Sequence, residues 1–256
     1  MPLPSYGFDP TEVAIPWEIL TGHDIEVLFA TPNGEPGAAD RLMLSGDNLG
    51  IWKPLLKARS DAVDAYEGML EDESFLNPLT YEALQEDSFD ALCLPGGHDK
   101  AVREYLESGL LQNLIVAFFA ARKPVGAICH GVVLVARSVD PKTGKSVIYD
   151  FKTTALLKSQ EITAYNLTRL WMGDYYLTYP GATVEDEVSM ALSDCRNFLA
   201  GPKPLLRDSM SHLDRGFVVH DRNYLSARWP GDAYSLSLEL LKMLESASPP
   251  DGSCSR

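Results

Sequence analysis

Cysteine is scarce in this chain, with only Cys93, Cys129, Cys195 and Cys254 in 256 residues and no Cys-x-x-Cys pair. That scatter argues against a zinc ribbon or a disulfide framework and suits a reducing compartment. Positive charge is also short: 22 Lys and Arg stand against 36 Asp and Glu, a formal net charge of −14. A surface this acidic repels phosphate backbones, and no basic stripe interrupts it, so nucleic-acid binding is not expected. There is no apolar run of the roughly 18 residues that a membrane span requires. Met1-Pro2-Leu3-Pro4 lacks the basic and apolar regions of a signal peptide. A cytoplasmic protein that meets neither membrane nor nucleic acid is the expectation. No internal repeat is present. With 45% hydrophobic and 23% charged residues the composition is globular, and the length fits one large α/β domain with or without a cap.

The chain is organised around Lys123-Pro124-Val125-Gly126-Ala127-Ile128-Cys129-His130-Gly131, which continues into the apolar run Val132 to Ala136. A short β-run meets a cysteine and a histidine and becomes a helix, with glycines flanking the junction. A side chain at such a turn projects beyond the carboxyl end of a parallel strand, where open α/β sheets bind ligands, and it is often held in a strained backbone conformation. The pattern is a cysteine version of the nucleophile elbow. The following helix N-terminus favours thiolate over thiol, so Cys129 is the candidate nucleophile. A buried structural cysteine at a strand end is the alternative.

Two other stretches join it. Leu92-Cys93-Leu94 is an apolar strand that stops at Pro95-Gly96-Gly97-His98, where glycines let backbone N–H groups approach a ligand. The N–H groups of Gly97 and His130 are the expected oxyanion donors. Near the start, Asp9 is a plausible N-cap and Pro10 the first residue of a helix that carries Glu12 in its first turn. Glu12-Val13-Ala14-Ile15-Pro16, Leu94-Pro95-Gly96-Gly97 and Ala127-Ile128-Cys129-His130-Gly131, in that order, resemble the ThiJ/PfpI superfamily of class I glutamine-amidotransferase-like proteins.

That resemblance implies a flavodoxin-like three-layer α/β sandwich with a central, mostly parallel sheet, a cysteine elbow and a cap insertion. It implies a catalytic set of Cys129, His130 and Glu12, with the Glu12 acid hydrogen-bonded to the cysteine. It further implies no metal, no cofactor, a small-molecule carbonyl substrate and a homodimer. The activity it suggests is glyoxalase-like or deglycase-like, methylglyoxal going to lactate. A stress-response holdase or oxidation sensor, an amidase or peptidase, and an isocyanide hydratase are the alternatives. The chaperone branch has an aspartate where this chain has Lys158, so the third member of a Cys-His-Asp triad is missing. Glu161, Glu185 and Asp186 are the nearest candidate carboxylates to replace it, or the site relies on Cys129 and Glu12 alone.

The remaining pattern predicts a short first strand, a helix over 10–20, a strand over 25–30 and a cap over 36–88. It predicts a helix over 99–122, short strands over 146–149 and 152–156, and a helical cap segment over 162–200 whose aromatic cluster serves cap packing, with a pocket wall over the cysteine as the alternative. A hairpin turning at Asp221-Arg222-Asn223, a last helix over 232–246 and a disordered tail over 247–256 complete one domain over 1–246.

Overall fold

The computed structural model describes residues 1–247; the rest of the expected tail, with Cys254, lies outside the described residues. Ten short strands are β1 (Tyr6–Phe8), β2 (Ala30–Thr31), β3 (Ala38–Ala39), β4 (Leu79–Thr80), β5 (Leu92–Leu94), β6 (Val125–Ile128), β7 (Val139–Asp140), β8 (Lys145–Ser146), β9 (Val218–Asp221) and β10 (Tyr224–Ala227). β5, β6 and β10 run parallel, in the order β5-β6-β10-β9, with β9 antiparallel at the edge. β1 pairs with β3, and β2 with β4, also in parallel. The β9–β10 turn holds Arg222 at φ 59°, as a tight hairpin requires.

The principal helices are α1 (Pro10–Thr21), α2 (Ser60–Met69), α3 (Gly109–Ala121), α4 (Gly131–Arg137), α5 (Lys158–Met172), α6 (Val184–Met190) and α7 (Ala233–Ala247). They form two packed groups: α1 lies against α2 and α7, and α4 lies against α3 and α6. The sheet is the layer between them, with Leu236 and Leu240 of α7 next to Gly126. β5, β6 and β10 are buried along their whole length, which is why they read as apolar runs rather than as alternations. This is the expected α/β sandwich with a mostly parallel central sheet.

Several predicted elements are drawn differently. The stretch 36–88 is only partly a cap. Ala38–Ala39 and Leu79–Thr80 are sheet strands, and α2 belongs to the helical layer. What stands apart is a small cluster of Met43, Leu49 and Tyr176 with partly buried neighbours from α5. Within 162–200, α6 belongs to the α4 layer. The helix over 99–122 breaks before Gly109, where the Ser108 hydroxyl caps α3. Of 25–30 only the end joins a ladder, because Leu28 O takes the Met1 amine and Phe29 N–H goes to Ser74 Oγ. Residues 152–156 ride on side chains of β10 instead of pairing with it: Thr154 N–H donates to Ser226 Oγ (2.9 Å), and Thr153 Oγ1 meets Tyr224 OH (3.1 Å). Of the expected 146–149 strand only Ser146 pairs, as the second residue of β8. No helix among the described residues is long and apolar enough to cross a membrane.

Glu161 in α5 is 1% exposed and accepts the Val184 N–H at 3.0 Å, tying α5 to α6. Burial lifts its pKa from 4.5 to about 7. The folded value lies above the unfolded one, so this group's stability contribution is intact below pH 4.5 and is lost as pH rises through about 7. Glu161→Gln keeps the acceptor and removes the titration. Between about pH 4 and about pH 8 the variant should gain on the wild type by up to roughly 3 kcal/mol in urea unfolding. A difference that does not change with pH would refute this.

Candidate active site

β6 ends at Ile128, and the next residue turns sharply. Cys129 has φ 57°, the left-handed region that a non-glycine residue enters only when its surroundings hold it there. Its N–H still donates to Ala227 O of β10 (3.1 Å), so the strand ladder fixes the elbow from one side. From the other side, the start of α4 is pressed on the end of β5. A Cβ on Gly131 would lie 2.1 Å from Leu94 O, so only glycine fits.

The Pro95-Gly96-Gly97 turn is wedged between the elbow and β1. A Cβ on Gly96 would come 2.6 Å from His130 N, and one on Gly97 would come 2.4 Å from Gly7 O. Asp9 N–H donates to Gly96 O (2.9 Å), and Asp9 Oδ1 caps α1 through the N–H groups of Thr11 and Glu12. This cap aims Glu12 inward. Glu12 is fully buried and its Oε2 accepts the Gly96 N–H (2.8 Å), while its Oε1 is buried without a hydrogen-bond partner; the carboxyl is close enough to Cys129 for its charge to act on the thiol. The expected trio of Cys129, His130 and Glu12 is therefore together. Gly97 lies beside it, while the Gly96 N–H is committed to Glu12.

Burial, then the negative charge of Glu12, pushes the Cys129 thiol well above its ordinary value, although the His130 N–H opposes the shift. Burial, then the neighbouring Asp9, pushes Glu12 well up as well. Both shifts favour the protonated forms, against the expectation that the helix N-terminus favours thiolate: α4 is short, and enclosure opposes the charge. Proton removal must come from a neighbour.

That neighbour is His130. Its Nδ1 lies 3.4 Å from Cys129 Sγ, and its Nε2 lies 2.9 Å from Thr178 Oγ1. Thr178 Oγ1 also lies 3.2 Å from His98 O, which can only accept. The single hydroxyl proton is satisfied by His98 O, so Nε2–H donates to Thr178 and Nδ1 offers its lone pair to the thiol. Burial, with the charge of Arg137 and the His98 ring nearby, lowers the His130 pKa well below its usual value, keeping the ring neutral and able to accept. None of the three carboxylates considered as a relocated acid orients it. Glu161 binds Val184, Glu185 accepts from Lys158 N–H, and Asp186 pairs with the Lys158 ammonium. Thr178 fills the orienting place. Sequence reasoning missed it because it was sought among acids.

Cys129 is only 1% exposed and is not in the lining of the nearby cavity of about 400 Å³, which comes next to the catalytic trio through His98. Asp9, His98 and Tyr176 line its inner end, and the His98 ring stacks edge-on with His130 at 5.0 Å. Tyr176 thus lines a cavity, the alternative to cap packing for the aromatics of this segment. His98, visible directly after Pro-Gly-Gly, had been given no role.

A family model described as ThiJ/PfpI family-like matches residues 3–190. The chain belongs to the ThiJ/PfpI family. An uncharacterized protein of Schizosaccharomyces pombe is 28% identical over 177 residues, 65% of each chain, so the match spans just under two thirds of that relative. The deglycase PfpI of Pyrococcus furiosus is 24% identical over 167 residues, 65% of this chain and 69% of its own. Among solved structures, glyoxalase III from Candida albicans superposes with a TM-score of 0.65 at 17% identity, covering 94% of this chain and 95% of that one. For this ThiJ/PfpI protein the structural likeness speaks for the fold, and the elbow geometry speaks for chemistry.

Proposed function

We propose that this chain is a cysteine-dependent enzyme acting on small reactive carbonyls, glyoxalase-like or deglycase-like, that converts methylglyoxal to lactate without glutathione. The observation that carries the reading is the strained elbow of Cys129 with an imidazole nitrogen 3.4 Å from its sulfur and the buried Glu12 carboxyl, its pKa pushed well up by burial, as a near neighbour. The names of the relatives, a deglycase and a glyoxalase III, agree with it.

His130 Nδ1 takes the thiol proton as sulfur bonds to the aldehyde carbon, and Glu12 gives its proton to the carbonyl oxygen, which leaves a hemithioacetal and an ionised Glu12. N–H groups of the Gly97 and His130 backbones are the proposed donors to the oxyanion. Glu12 then removes the hydrogen from the former aldehyde carbon as a proton and returns it to the adjacent carbonyl carbon, while the hemithioacetal hydroxyl proton passes to the neighbouring oxygen, which gives the thioester of the hydroxy acid. The first carbon is oxidised and the second reduced, so no outside electron carrier is needed. Water cleaves the resulting thioester, releasing the hydroxy acid and restoring the thiol.

Purified protein incubated with methylglyoxal alone should form lactate, followed by chiral chromatography. Absence of lactate above the protein-free control would overturn the proposal.

A further inference from the structure

The cavity that His98 lines, one ring contact away from His130, is much larger than a three-carbon substrate needs. Its 400 Å³ falls in the range of pockets that hold larger organic ligands. One face of α5, with Gln160, Thr163, Ala164 and Leu167 at helical spacing, forms a wall opposite Met43 and Leu56. Apart from its inner end and the Lys203–Arg207 side, that wall is chiefly carbon.

The inner end differs. Three residues that line the cavity each carry a buried polar atom with no partner: His98 Nδ1, Tyr176 OH and Trp229 Nε1. Buried donors are rarely left unmatched, and a carbonyl-bearing ligand would match them. His98 is the link to the chemistry. Its ring makes edge contacts with Tyr176 on the cavity side and with His130, each at 5.0 Å, and burial lowers its pKa to about 4, so the ring is neutral.

We infer that the preferred substrate of this site is a 2-oxoaldehyde carrying a branched or extended apolar side chain, which fills the cavity while its two carbonyl groups reach past His98 to Cys129. The inference rests on the proposed carbonyl chemistry and adds the class of side chain. Methylglyoxal would leave the apolar walls unfilled, whereas isobutylglyoxal would cover them.

Steady-state rates for methylglyoxal and isobutylglyoxal test it. The wild type should favour isobutylglyoxal in kcat/KM by about tenfold or more, the scale of discrimination that added methylenes give in an apolar pocket. Ala164→Phe, which narrows the cavity from the α5 side, should bring that preference close to parity. A wild type that prefers methylglyoxal, or an Ala164→Phe variant that keeps the preference, would overturn the inference. If neither compound is turned over, the proposed activity fails, and the cavity is judged by binding alone. Isobutyl methyl ketone should then bind saturably in a nuclear magnetic resonance titration at least tenfold more tightly than acetone, and more weakly to Ala164→Phe. Equal or undetectable binding of the two ketones would overturn the inference independently.

Discussion

Cys129→Ala should remove all turnover of 2-oxoaldehydes, leaving only the protein-free rate, because no other described residue offers a nucleophile next to a neutral imidazole. His130→Ala should be less severe. The imidazole removes one proton and is oriented by an uncharged hydroxyl, so its loss should cost roughly 10²-fold in kcat. The ~10⁴-fold collapse of a carboxylate-anchored triad is not expected. Thr178→Val, which keeps the shape but deletes the acceptor for Nε2–H, should fall between the wild type and His130→Ala. Single-turnover rates would check the series. A Thr178→Val variant indistinguishable from wild type would mean that the ring is held by packing alone. A His130→Ala loss beyond ~10⁴-fold would mean that an acid reaches the ring during the reaction.

The largest effect on stability is expected at Asp232→Ala. Arg228 and Asp232 are 1% and 0% exposed and face each other through Nε–Oδ2 (2.8 Å) and Nη2–Oδ1 (2.9 Å). The Phe217 and Arg228 N–H groups also donate to this carboxylate, and Arg228 Nη1 donates to Pro202 O. Burial draws the Asp232 pKa up, while the guanidinium and backbone donors hold it down; the donor set suits the ionised carboxylate. Removing it strands a cation in the interior, a loss of about 3–5 kcal/mol. Urea unfolding should read this as a large drop in midpoint. The double replacement Arg228→Met with Asp232→Leu should recover much of the loss, since a matched apolar pair leaves no buried charge unpaired. A single-variant loss below about 1 kcal/mol would contradict this account of the pair.

Much of the site was legible in the sequence because it is built from local signals. Asp9-Pro10 marks a helix start whose first turn carries Glu12, and Val125 to Gly131 marks a strand, turn and helix. Both are short-range patterns, and the chain obeys them. What was illegible depended on tertiary approach. Thr178 sits in an irregular stretch between α5 and α6 and has meaning only because it meets His130 Nε2. The thiol's upward shift arises from its enclosure, which no local pattern encodes. The 36–88 region misled because its sheet strands are two residues long, too short to show a period, and residues 152–156 misled because their backbone makes one isolated bridge, Thr153 with Phe198, before Thr154 N–H turns to the Ser226 side chain.

The position of β10 has a consequence for how the protein is made. The elbow strand β6 is flanked by β5, which precedes it in the chain, and by β10, which begins almost a hundred residues later; Cys129 N–H itself waits for Ala227 O. During synthesis the motif emerges early but lacks half of its sheet until the end of the chain is available. Such long-range closure is slow relative to local helix formation, so the unfinished product exposes an open apolar strand edge beside a cysteine. A nascent chain stopped short of Ala227 would carry the whole sequence signature of the site without the ladder that strains it into shape.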